Sequence, residues 1–148
     1  MSEQQVLSNT HLYENCIERI NNLNAFSEPE WGKMNVTQML AHCHEVELVM
    51  DGKDLKKKPL YFTIFKSSIR SHALDDKPYD QSIKTHPQYK IKKPGSYDEE
   101  KRKLITLLEK ERSVDGETIH PIFGKLTIEQ RHWLSFKHLD HHLNQFGV

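Results

Sequence analysis

Two short stretches fix where helices must begin, and so constrain what this chain can fold into. Asn35 is followed three residues later by Gln38, and Thr127 by Gln130. In each pair the first side chain can accept the third helical amide while the second reaches back to the cap's own amide. The first pair opens VTQMLAHCHEVELVM, which should stop at Asp51-Gly52; the second opens IEQRHWLSFKHLDHHLNQF, which should stop at Gly147. Apolar residues recur in both at three- and four-residue spacing, as at Val36, Met39, Cys43, Val46 and Met50.

Two more segments carry the same period. Val6, Tyr13, Cys16, Ile17, Ile20 and Leu23 predict a helix over 6–23, ended by a break at Phe26–Gly32 that contains Pro29. Asp98 is a suitable cap for a third helix through EEKRKLITLLEKER, acidic in its first turn and basic in its last. Its buried side is Leu104, Ile105, Leu107 and Leu108, and Asp115-Gly116 ends it.

Between the second and third helices lies a long excursion, residues 53–96. It opens with a Lys-rich run, Lys53 to Lys58, that reads as a solvated face. An extra short helix fits within 60–73, and Pro78, Pro87 and Pro94 punctuate the polar loop that follows. A loop of that length commonly covers a site. The connection HPIFG, residues 120–124, reads as extended, and no strand pattern stands out. The expectation is an all-α fold: one domain over residues 1–148, an antiparallel four-helix bundle with an elaborated middle connection.

Composition excludes several functions. Twenty-one basic residues balance 21 acidic ones, which disfavours nucleic acid as a partner, because that affinity comes largely from neutralising phosphates. No apolar run approaches the roughly 18 residues of a membrane span, and MSEQQVLSNT lacks the features of a secretory leader. Cys16 and Cys43 form no CxxC pair and read as core thiols in a reduced, cytoplasmic setting.

The unusual feature is histidine: ten residues, five of them from His120 onward. At about 100° per residue, His42 falls on the shoulder of the second helix's apolar stripe, and His44 falls on the solvent side. His138 and His142 are one turn apart on the last helix, in a row with Leu134 and Phe146. His141 points towards the polar side, and His132 cannot share the face of His138. Three neutral imidazoles converging from two helices suit a divalent transition metal, and spacing alone does not say which. Glu45 and Asp140 are candidates to orient the rings, and His141 to carry protons, although their wheel positions favour solvent.

The stretches WGKMNVTQMLAHCHE, HPIFGKLTIEQ and KHLDHHLNQFGV resemble the DinB/YfiT-like superfamily, most closely a bacterial subfamily with an HLDHHL-QFG ending. The resemblance spans residues 5–50 and 97–148. It implies a four-helix bundle, often a homodimer, that holds zinc or nickel through three histidines. The family positions map onto His42, His138 and His142. The better-understood relatives are thiol-dependent transferases and isomerases, so the resemblance implies metal-assisted chemistry on a small-molecule thiol. For an enzyme, the polar stretch 77–96 or the short helix near 60–73 would form a lid that excludes water. The alternative is a non-catalytic helical module with a structural or vestigial metal. Deprotonated ligands further imply that metal is released below roughly pH 6.

Overall fold

The computed structural model describes residues 9–56 and 58–148. It is mostly helical. Helix α1 spans Asn9–Asn21, α2 Val36–Met50, α3 Leu60–Ile64, α4 Lys66–Leu74, α5 Tyr97–Glu111 and α6 Ile128–Gln145. A 3-10 turn at Pro87–Tyr89 and a hairpin of β1 (Thr118–His120) and β2 (Gly124–Leu126) complete the elements. The predicted helix start at Val6 and the position of Lys57 lie outside the described residues.

Both capping boxes form. Asn35 Oδ1 accepts from the Gln38 amide at 2.8 Å, and Gln38 Oε1 accepts from the Asn35 amide at 3.1 Å. The Thr127–Gln130 pair repeats this at 3.3 and 3.0 Å. These bonds satisfy amides that a helix start otherwise leaves orphaned. On α5 the cap is Ser96, whose Oγ accepts from the Glu99 amide at 3.3 Å, and not Asp98. Asp98, Glu99 and Glu100 instead occupy the first turn, where negative charge meets the positive end of the helix.

The long helices pack as α2 on α5, α1 on α6, α2 on α6 and α1 on α5. Tyr13, Cys16 and Ile20 of α1 meet Met39, Leu40 and Cys43 of α2, Leu104 and Leu108 of α5, and Leu139 and Leu143 of α6 in the main core. Both cysteines are buried there as free thiols. Burial pushes the Cys16 thiol up to about 12, so it is inert packing at neutral pH.

Helix α2 is buried on more than the expected stripe. Val49 is enclosed as well, where the excursion folds back over its second side, and Glu47 is enclosed facing Ser135 of the last helix. The extra helix is two pieces, α3 and α4, broken at Phe65 with φ −100° and ψ 18°. Lys137 of α6 fastens α4. Its Nζ donates to the carbonyls of His72, Ala73 and Asp75 at 2.9, 3.3 and 3.0 Å and to the Asp75 carboxylate at 2.9 Å.

The hairpin corrects the expectation that no strands form. Thr118 pairs with Leu126 and His120 with Gly124 in antiparallel register. Strands of three residues are too short to show an alternating pattern, and the outward Ile119 is 82% exposed. Gly124 closes the turn with φ +75°, a conformation glycine adopts without steric cost. Among the described residues, no helix is long and apolar enough to cross a membrane.

Candidate metal centre

The second and last helices run in opposite directions where they face each other, so His42 meets His138 and Glu47 meets Ser135. The Nε2 atoms of His42 and His138 are 3.0 Å apart. His142, one turn beyond His138, brings its ring centroid to 4.7 Å from that of His42 and 4.8 Å from that of His138. One nitrogen from each ring can be chosen so that all three lie within 4.8 Å of one another. His42, His138 and His142, the three residues expected from the helical wheels, therefore converge.

Their outer nitrogens fix the protons. His42 Nδ1 lies 2.8 Å from the Tyr89 carbonyl, which can only accept, so Nδ1 carries the hydrogen and Nε2 presents a lone pair. His142 Nδ1 lies 2.8 Å from Gln145 Oε1. The Gln145 amide is itself oriented, since its Nε2 donates to the Trp31 carbonyl at 2.8 Å. The oxygen therefore faces His142, whose Nε2 becomes the lone-pair nitrogen. His138 Nδ1 is buried without a hydrogen-bond partner.

Electrostatics keep the rings neutral. Burial lowers His42; burial, with His142 and His42 beside it, holds His138 well below the usual range; burial, then His42, brings His142 down to about 3. Neutral imidazoles, two of them with their outer N–H groups engaged, are the form in which histidine binds a metal. Tetrahedral zinc at about 2.0–2.1 Å from nitrogen places two donors roughly 3.3 Å apart, close to the His42–His138 spacing. The residue types suit such an ion, and the three nitrogens, spread over up to 4.8 Å, would draw closer around it. Three protein ligands leave a position open for a further one.

Other expectations need correction. His44 is half-buried, not solvent-facing, and burial lowers its pKa. Asp140 pairs with Arg19 at 2.7 Å and accepts from Asn144 at 3.1 Å, so its ties do not run to the three rings. Glu45 acts at one remove: its carboxylate accepts from Gln88 Nε2 at 2.9 Å, fastening the 3-10 turn that supplies the Tyr89 carbonyl. The orienting groups are thus Gln145 and a backbone carbonyl. A sequence pattern does not reveal the carbonyl, but Gln145 is three residues from His142 and was discoverable from helical spacing. His132 is buried elsewhere, edge-on to Tyr13 at 5.3 Å between ring centroids.

The centre opens on a cavity of about 510 Å³ roofed by α3, α4 and the loop up to Tyr89, the region expected to act as a lid. His72, His86, His120 and His141 join the three convergent rings around it, so seven of the ten histidines line one space. His141 was expected to face solvent; Trp31 and Tyr79 approach its ring at 6.0 and 5.9 Å. His120 Nδ1 accepts from the amides of Ile122 and Phe123 at 3.1 and 3.3 Å, so its hydrogen sits on Nε2. Burial takes His120 down to about 4. In the wall, Ser135 Oγ donates to Glu47 Oε2 at 2.8 Å, and Glu47 Oε1 has no hydrogen-bond partner.

One family model matches residues 1–147, that of a family described as "Protein of unknown function (DUF1569)". No curated protein and no solved structure matches the chain.

Proposed function

Because the chain belongs to the DUF1569 family, whose description assigns no activity, we propose a function from the site itself. The protein binds a divalent transition metal, zinc or nickel, through His42, His138 and His142. It works there on a small molecule as a metal-dependent transferase that uses a small-molecule thiol. The observation that carries the metal reading is the facing pair of Nε2 atoms at 3.0 Å, with the His42 hydrogen committed to Tyr89.

A bound metal would lower the pKa of a coordinated thiol or water and so supply a nucleophile at neutral pH. The chain's own groups do the rest. Tyr89 and Gln145 hold the rings in position, and α3, α4 and the following loop enclose the cavity so that water is limited around the reactants. The thiol comes from the resemblance to the DinB/YfiT-like superfamily. That resemblance also supports reading the four long helices as an antiparallel bundle and a homodimeric assembly, while two buried free cysteines support a cytoplasmic location. An open coordination position next to a large cavity favours an enzyme over a non-catalytic module with a structural metal, which would close its coordination shell with protein.

Elemental analysis of protein purified without a histidine tag tests this. About one equivalent of zinc or nickel per chain is expected, lost in His138→Ala. Sub-stoichiometric transition metal, unchanged by addition of zinc, overturns the reading.

A further inference from the structure

The three imidazoles occupy one end of the cavity, and the rest of its wall has a different chemistry. Val46 and Met50 of α2, Phe62 and Ile69 of the excursion, and Ile122 and Phe123 of the hairpin turn line it. Two small hydrophobic clusters meet here, one around Val49, Leu55, Tyr89 and Ile122, the other around Met50, Ala73, Leu126 and Leu134. Side chains from such clusters ordinarily interdigitate, because protein interiors leave few voids larger than a water molecule. Here they leave about 510 Å³, within the roughly 300–1,000 Å³ span of small-molecule sites.

Most of the accessible wall surface is apolar, although seven histidines, Ser68, Gln81 and Thr85 also line it. Apart from histidines, its charged side chains are Glu47, fully buried and bonded to Ser135, and Lys84 on the exposed edge. A ligand rich in hydroxyl, amide or carboxylate groups would strand most of them against Phe62, Ile69, Ile122 and Phe123, and unpaired polar groups weaken binding. A carbon body would instead regain the dispersion contacts that the open space denies its lining.

We propose that this cavity takes an amphipathic molecule with one metal-ligating head at the His42, His138 and His142 end. Its body is predominantly aromatic or aliphatic and lies between Phe62, Ile69, Ile122 and Phe123. The head rests on the metal-centre reading; the body stands on the cavity walls alone.

Three probes separate these parts, applied to the full chain with cobalt(II) bound and with no metal. Benzyl mercaptan carries both head and body, ethylbenzene replaces its thiol with a methyl group, and 2-mercaptoethanol is a thiol with a polar body. Thiolate-to-cobalt absorption is expected to give benzyl mercaptan at least tenfold tighter binding than 2-mercaptoethanol. Ethylbenzene is expected to bind the metal-free protein saturably, with magnetisation transfer to the methyl groups of Val46, Ile69 and Ile122. Phe62→Ser should weaken ethylbenzene and benzyl mercaptan at least fivefold at unchanged metal content, and the methyl contacts locate the ligand without any variant. Equal affinity for the two thiols, or no saturable ethylbenzene binding, overturns the proposal. A chain that takes up no cobalt overturns the metal centre and the head with it, while ethylbenzene still decides the body.

Discussion

His42 and His138 face each other Nε2 to Nε2 at 3.0 Å, and the Tyr89 carbonyl has already claimed the one hydrogen of the neutral His42 ring. Nothing in the His42 ring can donate into that gap while it is neutral. The two nitrogens share either the single His138 hydrogen, which leaves His138 Nδ1 as a buried acceptor with no donor, or a cation. The second arrangement engages both facing lone pairs, and His138 Nδ1 is then a buried N–H without an acceptor.

Substitution of the rings should therefore sort them sharply. His42→Ala, His138→Ala and His142→Ala are each expected to reduce bound metal below a tenth of an equivalent. His44→Ala and His132→Ala should retain it. Elemental analysis of dialysed, tag-free protein checks this, with circular dichroism confirming that each variant is folded. Metal retained in His42→Ala would place the ion elsewhere.

Gln145 offers a subtler test, because it touches the centre only through His142. Gln145→Leu removes the acceptor at 2.8 Å and should weaken metal roughly 10- to 100-fold, the usual effect of losing such a group, without abolishing the site at saturating metal. Gly32→Ala should act through the same side chain. Its φ is +81°, and an added Cβ would sit 2.7 Å from Gln145 Nε2. Competition with a chromophoric chelator would measure both shifts. Wild-type affinity in both variants would show that ring orientation does not depend on Gln145.

Glu47 predicts a pH dependence. Burial, foremost among its causes, pushes its carboxyl up from 4.5 to about 8. Between those values the unfolded chain releases a proton that the folded chain keeps, so this group's contribution falls as pH rises through the window. The span corresponds to roughly 4–5 kcal/mol at most. Glu47→Gln should match wild type near pH 5 and exceed it in stability near pH 9, as followed by urea unfolding at both values. Parallel profiles for the two proteins would place the Glu47 proton elsewhere.

Lys137 ties the roof to the last helix. Lys137→Met should leave α1, α2, α5 and α6 protected from hydrogen exchange while amides over 66–80 exchange at least tenfold faster. The three carbonyls and one carboxylate that it now engages would lose their donor. Unchanged exchange over 66–80 would show that apolar packing alone holds the roof.

The long helices were legible because each carries its own boundary chemistry and a repeating apolar face, and three of the histidines could be placed from that repeat. Ser and Asp are both capping residue types, and Ser96 and Asp98 lie two positions apart, so residue type alone does not separate the cap from the first turn. The hairpin escaped because each strand offers three residues. His72, His86 and His120 carried no legible role because the excursion that gathers them around α2 has no periodic pattern of its own. Tyr89 was out of reach for a different reason: its contribution is a backbone carbonyl, which any residue would supply.

A separation of 96 residues between His42 and His138 also has a meaning in time. During synthesis α2, α3, α4 and α5 leave the ribosome well before the residues of α6 that carry His138 and His142. Until then His42 stands alone, with nothing to share an ion and no reason to retain one. An ion held by all three rings would therefore be acquired late in the life of each chain, and its presence would mark the docking of the last helix. A product cut short before His138 and His142 would then be told from the finished one by its inability to hold such an ion.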